Sequence, residues 1–196
     1  MRRYANQEMN IREANINDAE GIANVHVKAW QSAYREIMPN DYLDSLSVNE
    51  KTKIWQKSLS EHSLGINLVI EKNKEIIGFC VFGPARDDDQ KNCNVGELVA
   101  LNILPKYWRN GYGTEMVNYV LSQSDLKGWQ ALYLWVIKQN KKAIAIYEAN
   151  GFIREGAEKL NDKLTGYELQ EIRYICTLSS GFRLCQQQKK NLKNWL

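Results

Sequence analysis

Apolar residues recur at helical spacing in the first third of the chain, with His26 and Trp30 on one predicted helix face. Asn17 or Asp18 can cap that helix, because short polar side chains accept hydrogen bonds from the first free N–H groups of a helix. Ser47, followed three residues later by a glutamate, predicts a capping box. The predicted elements are a strand at 9–14, a helix from the cap to about residue 36, a helical turn at 41–46 and a helix from 47 to about 61.

Beyond residue 65, apolar runs replace the helical spacing. Two runs at 66–71 and 75–82 flank Lys72-Asn73-Lys74, a pattern that predicts an antiparallel hairpin. Residues 131–137 are apolar at every position, as expected of a strand that is covered on both faces in a partly parallel sheet. Further strands are predicted at 95–104, 152–158 and 168–178, with helices after 112 and from 140 to about 149. This order predicts an α+β fold with a mixed sheet.

Composition narrows the class of protein. A chain of 196 residues with 44% apolar content predicts one domain, which we place at 1–178, followed by a basic tail at 179–196 that is either a frayed end or a short helix. The net charge of +3 comes from that tail, so the body is not expected to bind nucleic acid. No 18-residue apolar run or secretion signal is present, and four cysteines lack C-x-x-C spacing, so we expect no membrane contact and a cytoplasmic location.

A glycine-centred turn between Pro105 and Val117 is the strongest candidate for binding an anion. Gly111 and Gly113 let successive backbone N–H groups converge, and the helix that follows adds the positive end of its dipole. The turn is not a P-loop, because no lysine follows Gly113, and it is not a dinucleotide fingerprint, because Met116 stands where the third glycine is needed. A phosphate group of another kind is therefore predicted.

Two sequence blocks resemble the GNAT family of N-acetyltransferases. The segment Gly96–Pro105 leads into Trp108-Arg-Asn-Gly-Tyr-Gly113, which is similar to the family's Q/R-x-x-G-x-G/A loop, although Trp108 stands where the family has Gln or Arg. Asn140–Phe152 is similar to N-x-x-A-x-x-x-Y-x-x-x-G-F. Residues 10–178 thus look like one complete domain of this family.

The resemblance implies a central mixed, twisted sheet of six to seven strands flanked by helices, in which two splayed parallel strands form an acetyl-CoA cleft. It also implies acetyl-CoA as cosubstrate and no metal. The residues expected to bind the cofactor are Leu101, Asn102, Ile103, Trp108, Arg109, Asn110, Gly111, Tyr112, Gly113, Thr114, Asn140 and Tyr147. Asn140 also has a sufficient structural explanation, since it can cap the helix that follows.

Two residues are expected to carry the chemistry. A primary amine has a pKa of about 10 and must lose a proton before it attacks a thioester, which suggests Glu97 as general base, directly or through water. The alternative is that Glu97 is a strand carboxylate paired with a basic side chain or facing solvent. Tyr147 is the expected acid for the departing thiolate, and its alternative is a plain core aromatic residue. Cys80, in an apolar strand without basic neighbours, is expected to be inert, which favours direct transfer over an acetyl-cysteine route.

The resemblance also places His26, Trp30 and Tyr34 at the border of the acceptor site, although packing against the sheet would explain them equally simply. The run Asp87-Asp88-Asp89 is either part of a solvated loop or a cluster of negative charge that attracts a cationic acceptor.

We therefore expect an N-acetyltransferase acting on a small amine such as a polyamine, amino sugar or amino acid. A peptide or protein N-terminus as acceptor, a non-catalytic acyl-CoA sensor and a nucleotide-binding protein are alternatives. A homodimer assisted by the apolar residues of the tail is a further possibility.

Overall fold

The computed structural model describes residues 9–61, 65–91, 93–162 and 165–178, so the predicted tail at 179–196 lies outside the described residues. The strands are β1 Met9–Glu13, β2 Ile66–Lys72, β3 Glu75–Pro84, β4 Val95–Ile103, β5 Ala131–Ile137, β6 Ile153–Asn161 and β7 Leu169–Thr177. The helices are α1 Ala19–Ala33, α2 Asn40–Ser45, α3 Val48–Ser60, α4 Tyr112–Leu126 and α5 Lys141–Ala149, with short 3-10 turns at Ile16–Asp18 and Pro105–Tyr107.

The strands form one seven-stranded sheet in the order β1-β2-β3-β4-β5-β7-β6. β4 and β5 are parallel, whereas β1 and β2, β5 and β7, and β6 and β7 are antiparallel. The mixed α+β fold predicted from the sequence is therefore confirmed. The hairpin between β2 and β3 turns at Asn73 and Lys74, whose φ angles of 50° and 66° are both left-handed, as a two-residue type I′ turn requires.

The start of α1 differs from the prediction. Asp18 stands at the N-cap position of α1, and the Asn15 side chain caps the 3-10 turn before it, accepting from the Asn17 N–H at 3.0 Å. The Asp18 side chain makes no capping bond to α1; its carboxylate instead accepts from the guanidinium of Arg12 at 2.7 and 2.8 Å and from the Asn15 N–H at 2.8 Å. The Asp18 carboxylate is thus bound by Arg12, six residues earlier, instead of by the first N–H groups of α1. The capping role of Ser47 is confirmed, since its hydroxyl accepts from the Glu50 N–H.

Backbone contacts divide the chain into two compact units. Of the described residues, the first unit comprises those up to Val81 together with Ala100–Met116, and the second comprises those of Phe82–Val99 and from Val117 onward. In the first unit, buried residues of α1 pack with Trp55, Phe79 and Leu104 in one apolar cluster. In the second unit, Val95, Ala131 and Tyr133 form a smaller cluster that includes residues of the β3–β4 loop.

Candidate functional site

The parallel pairing of β4 with β5 covers only the beginning of both strands. It runs from Val95 opposite Ala131 to Leu98 opposite Leu134, and both strands continue beyond the last pair. Near the end of β4, the Leu104 N–H donates to the Ile77 carbonyl of β3 at 2.8 Å. Because N–H and C=O groups alternate between the two edges of a strand, the backbone groups of Ile103 point to the edge of β4 away from β3.

Trp108 joins the end of β4 to the turn that follows. Its indole Nε1–H donates to the Ile103 carbonyl at 2.7 Å, and the side chain is half-buried. Trp108, at the family's Gln or Arg position, therefore links the turn to β4 through a hydrogen bond from its side chain to the strand backbone. A carbonyl oxygen has two lone pairs, so Ile103 keeps one position for another donor.

The turn itself has the backbone conformation of an anion-binding concavity. Arg109 and Gly111 have φ angles of 59° and 84°, and a Cβ added at Gly111 would meet no atom within 4 Å. The Asn110 amide donates to the Trp108 carbonyl at 3.0 Å, which holds the turn closed. α4 begins at Tyr112, and the first N–H groups of a helix have no acceptor within the helix. The turn thus fits a phosphate, which would meet backbone donors and the positive end of α4.

A lysine adds positive charge beside this turn. Lys72, the last residue of β2, donates from Nζ to the Tyr112 hydroxyl at 2.5 Å, and its ammonium lies 5.1 Å from the centre of the Tyr112 ring. The neighbouring Tyr107 hydroxyl donates to Glu75 at 2.8 Å. Tyr112 is therefore held through its side chain, while its backbone belongs to the turn.

Glu97 lies in the second unit, on β4, and is 2% exposed. Its carboxylate is bound by a fork: Arg86 Nε donates to Oε2 and Nη2 donates to Oε1, each at 2.7 Å. The Tyr133 hydroxyl, opposite Glu97 on β5, also donates to Oε2 at 3.1 Å. Hydrogen bonds to Glu97 raise the pKa of the Arg86 guanidinium. The carboxylate is thus paired with a base, as the alternative interpretation of Glu97 expected, and it is held in one orientation.

The β3–β4 loop that carries Arg86 is bound to the strands beneath it. Arg173 of β7, 5% exposed, donates to both carboxylate oxygens of Asp89 at 3.0 and 2.7 Å and also pairs with Glu155. The Trp135 indole donates to Asp87 at 2.7 Å. Two of the three aspartates therefore bind groups of the chain itself, which neither interpretation of the run foresaw. Asp88 is 93% exposed and paired with a lysine, and the Asp89 side chain is 58% exposed although it binds Arg173.

Tyr147 and Asn140 occupy the elements where the sequence placed them. Asn140 caps α5, accepting from the Ala143 N–H at 3.2 Å, so its structural role is confirmed. Tyr147 is 8% exposed, and its ring meets that of Phe152 edge-on at 5.8 Å. This packing is compatible with both interpretations of Tyr147, so its catalytic role stays a prediction.

The aromatic residues of α1 form a series in the first unit. The ring centres of His26 and Trp30 lie 5.0 Å apart, and those of Trp30 and Tyr34 lie 5.3 Å apart. His26 Nδ1 accepts from the Trp55 indole at 3.3 Å, which places the imidazole proton on Nε2. Burial, together with nearby Lys51, lowers the pKa of His26 to about 4. His26 is therefore neutral at physiological pH and packs into the core, whereas the predicted acceptor contact remains a prediction.

The remaining candidates do not change this picture. Cys80 is buried, and burial raises the pKa of its thiol, as expected of an inert cysteine. Across the described ranges, no three His, Cys, Asp or Glu side chains lie together as a metal ion would require. In those same ranges, no helix is both long and apolar enough to cross a membrane.

Sequence reasoning did not identify the residues around Glu97. Arg86, Tyr133, Trp135 and Arg173 come from one loop and two strands and match no motif. The only local signal was the two-residue spacing of Tyr133 and Trp135, which puts both side chains on one face of β5. Their common setting depends on strand register, which the sequence pattern did not reveal.

Comparison with known proteins gives a consistent result. The family model described as "Acetyltransferase (GNAT) family" matches residues 27–152. The chain is 32% identical over 162 residues to the uncharacterized N-acetyltransferase YuaI of Bacillus subtilis, covering 83% of this chain and 89% of that protein. It is 26% identical over 147 residues to YhfO of the same organism, also an uncharacterized N-acetyltransferase, covering 74% of this chain and 89% of YhfO. Among solved structures, the PaiA N-acetyltransferase of Thermoplasma acidophilum with coenzyme A has a similar fold, at a TM-score of 0.67 and 20% identity, covering 87% of this chain and 99% of that chain.

Proposed function

Because the chain belongs to the GNAT family of acetyltransferases, we propose that it acetylates a primary amine of a small molecule by direct transfer from acetyl-CoA. The observation that carries the proposal is the turn at Arg109 and Gly111, whose left-handed backbone and following helix suit a pyrophosphate. Acetyl-CoA supplies an acetyl group activated as a thioester. The residues of this chain bind it, take a proton from the acceptor and give one to the leaving group.

The turn and the end of β4 provide the proposed cofactor contacts of the first unit. The backbone N–H groups between Arg109 and Thr114 would bind the pyrophosphate. The backbone groups of Leu101 and Ile103, at the edge of β4 away from β3, would pair with amides of the pantetheine arm. Trp108 already donates to the Ile103 carbonyl, so the cofactor would use the second lone pair of that oxygen. Trp108 thereby fixes the direction of an acceptor that the cofactor needs.

Glu97 is the proposed proton acceptor. Among the described residues, Oε2 accepts from Arg86 and Tyr133, whereas Oε1 accepts from Arg86. Each carboxylate oxygen can accept about two hydrogen bonds, so Oε1 keeps one position for an ammonium or for a water that relays its proton. Because the residue is 2% exposed, a relay water would be isolated from bulk solvent.

Tyr147 is the proposed proton donor to the coenzyme A thiolate. The protonated leaving group resembles cysteine, with a pKa of about 8.5, so a neutral hydroxyl can donate to it at neutral pH. A tyrosine that is nearly buried keeps its hydroxyl in one place, as such a donor must. Asn140, one further element of the same motif, would contact the cofactor in addition to capping α5.

A polyamine, an amino sugar or an amino acid is the proposed acceptor, and His26, Trp30 and Tyr34 remain its proposed contacts. A peptide N-terminus is the second candidate within the same reaction, but no described contact favours it. A non-catalytic sensor would need neither a proton acceptor nor a donor. The fork that orients Glu97 therefore supports turnover.

Thiol release from acetyl-CoA, measured with polyamines, amino sugars, amino acids and short peptides, tests the proposal. We expect turnover with at least one small amine, and Tyr147→Phe should lower kcat while acetyl-CoA still raises the melting temperature. Tyr174→Phe is a matched control, because it removes the hydroxyl of another buried tyrosine, one that donates to Glu148. Absence of turnover with every amine, together with a retained thermal shift, would favour the sensor. A shift with ATP instead would favour a nucleotide-binding protein.

A further inference from the structure

Arg86, in the loop between β3 and β4, was not among the residues singled out by sequence. We infer that Arg86 is a positioning residue for the acetyl transfer: its fork holds the Glu97 carboxylate in one orientation and aims Oε1 at the acceptor amine. The inference rests on the proposed role of Glu97. It assigns to Arg86 no contact with either substrate.

Arg86 and Glu97 form a bidentate ion pair. Nε and Nη2 of Arg86 each lie 2.7 Å from a different carboxylate oxygen, the arrangement that fixes both the distance and the plane of a carboxylate. A lysine would supply one charge without that plane. The Tyr133 hydroxyl then occupies a further position on Oε2. Among the described contacts, Oε1 therefore accepts one hydrogen bond and Oε2 accepts two, so Oε1 is the oxygen with the greater remaining capacity to accept.

Arg86 and Glu97 differ in solvent exposure, and this difference indicates which of the two residues depends on the ion pair. The Arg86 side chain is 64% exposed, whereas that of Glu97 is 3% exposed. An exposed guanidinium gains little stability from an ion pair, because water screens it. A buried carboxylate, in contrast, is costly to ionise without a nearby cation. The ion pair therefore matters mainly for the buried Glu97 carboxylate, not for the exposed guanidinium.

Other charged groups around Glu97 do not replace Arg86. Tyr133 of β5 donates a neutral hydroxyl. Arg173 of β7 lies over the Tyr133 ring at 5.6 Å, but its guanidinium is already paired with Asp87, Asp89 and Glu155. Arg86 is thus the cation that directly binds Glu97.

The loop does not depend on the Arg86 side chain for its position. The backbone N–H groups of Arg86 and Asp87 donate to the Tyr133 hydroxyl at 3.2 and 3.3 Å. Asp87 also accepts from the Trp135 indole, and Asp89 binds Arg173. A substitution at Arg86 should therefore remove the fork and leave the loop in place.

The pH dependence of kcat/KM for Arg86→Gln tests the inference, with the best acceptor from the panel. We expect the acidic limb of the profile to move up by about 1 to 3 pH units, because an opposite charge beside a carboxylate favours its ionised form by that much. The value at neutral pH should fall about tenfold or more, since a general base contributes only when correctly ionised and placed. Acetyl-CoA should still raise the melting temperature as in the parent protein. An unmoved limb together with an unchanged neutral rate would overturn the inference.

Two further variants make the result specific. Arg12→Gln is the matched control, because Arg12 binds Asp18 and Glu71 in a comparable ion pair of the first unit, and it should leave the profile unchanged. Arg86→Lys keeps the charge and loses the fork, so it should keep the limb in place and lower the neutral rate. If Arg86→Gln does not fold, Arg86→Lys decides the question, and a rate equal to that of the parent protein would contradict the positioning role.

Glu97→Gln separates this inference from the proposed function. If the acidic limb disappears in Glu97→Gln but does not move in Arg86→Gln, the role of Arg86 fails and that of Glu97 stands. If the limb persists in Glu97→Gln, Glu97 is not the proton acceptor, and the proposed mechanism fails first.

Discussion

The contacts that form the turn around Gly111 join residues close together in the chain, whereas the contacts of Glu97 join residues that are far apart in the chain. The turn is local: Trp108 binds a carbonyl five residues before it, and Asn110 binds one two residues before it. Glu97 is bound by Arg86, 11 residues earlier, and by Tyr133, 36 residues later. The first region presents backbone groups and the second presents a side chain. A backbone site of this kind follows from glycine spacing, whereas a side-chain site follows from which strands are neighbours.

Glu97→Gln is the strongest test of the second region. We expect kcat to fall by about 10²- to 10⁴-fold, the usual contribution of a general base, with little change in the KM for acetyl-CoA. Thiol-release kinetics at neutral pH measure this. Glu71→Gln is the control, since Glu71 is also a strand carboxylate bound by an arginine. A loss smaller than about threefold would mean that Glu97 only supports the structure.

The stability of the first unit should limit activity measurements at low pH. The pKa of His26 is lowered to about 4, so between the ordinary value of 6.5 and 4 the unfolded chain binds this proton and the folded chain does not. Above pH 6.5 the titration of His26 does not lower the free energy of unfolding. As the pH falls from 6.5 to 4, this titration should lower the free energy of unfolding by about 2 to 3 kcal/mol. Urea unfolding at pH 7, 6, 5 and 4 measures it.

His26→Asn keeps an acceptor for the Trp55 indole and removes the titrating group, so its unfolding free energy should depend less on pH. Equal slopes for the two proteins would show that other groups cause the loss. This variant also separates acid unfolding from the acidic limb that we attribute to Glu97.

Gly111→Ala tests whether the first region depends on backbone conformation. A left-handed residue with a side chain costs about 1 to 2 kcal/mol, and we expect the strained turn to bind coenzyme A about tenfold more weakly. Gly128→Ala is a matched control: its φ is 74°, against 84° at Gly111, and neither added Cβ would meet an atom within 4 Å. Calorimetric titration should show weaker binding for Gly111→Ala alone, while both variants lose similar stability. Equal affinities would contradict the proposed phosphate site.

Trp108→Phe should have the smallest effect. It removes one hydrogen bond to the Ile103 carbonyl, worth about 1 kcal/mol of stability, and leaves the backbone donors of the turn in place. We expect the affinity for acetyl-CoA to change less than about threefold. A change of tenfold or more would indicate that Trp108 contacts the cofactor itself.

Local patterns predicted most of the fold. The wholly apolar run gave β5 at the predicted residues, Ala131–Ile137, and the hairpin turned at Asn73 and Lys74 as expected. The error at the start of α1 has a physical cause, because the Asp18 carboxylate is bound by Arg12, six residues earlier, and not by the helix. At Asp87–Asp89 the expected solvated loop holds for Asp88 and Asp89, which are exposed, but the sequence did not predict that Arg173 on a distant strand binds Asp87 and Asp89.

By itself, the sequence determined the family, the order of the elements, the cap at Asn140 and the turn at Gly111. Each single element, the cap and the turn depend on residues that are close together in the chain, where backbone geometry limits the outcome to a few conformations. Only the tertiary structure decided which base pairs with Glu97 and where the aspartates of the β3–β4 loop bind. Such partners are chosen by strand register and by the burial of charge, and neither leaves a periodic pattern in the chain.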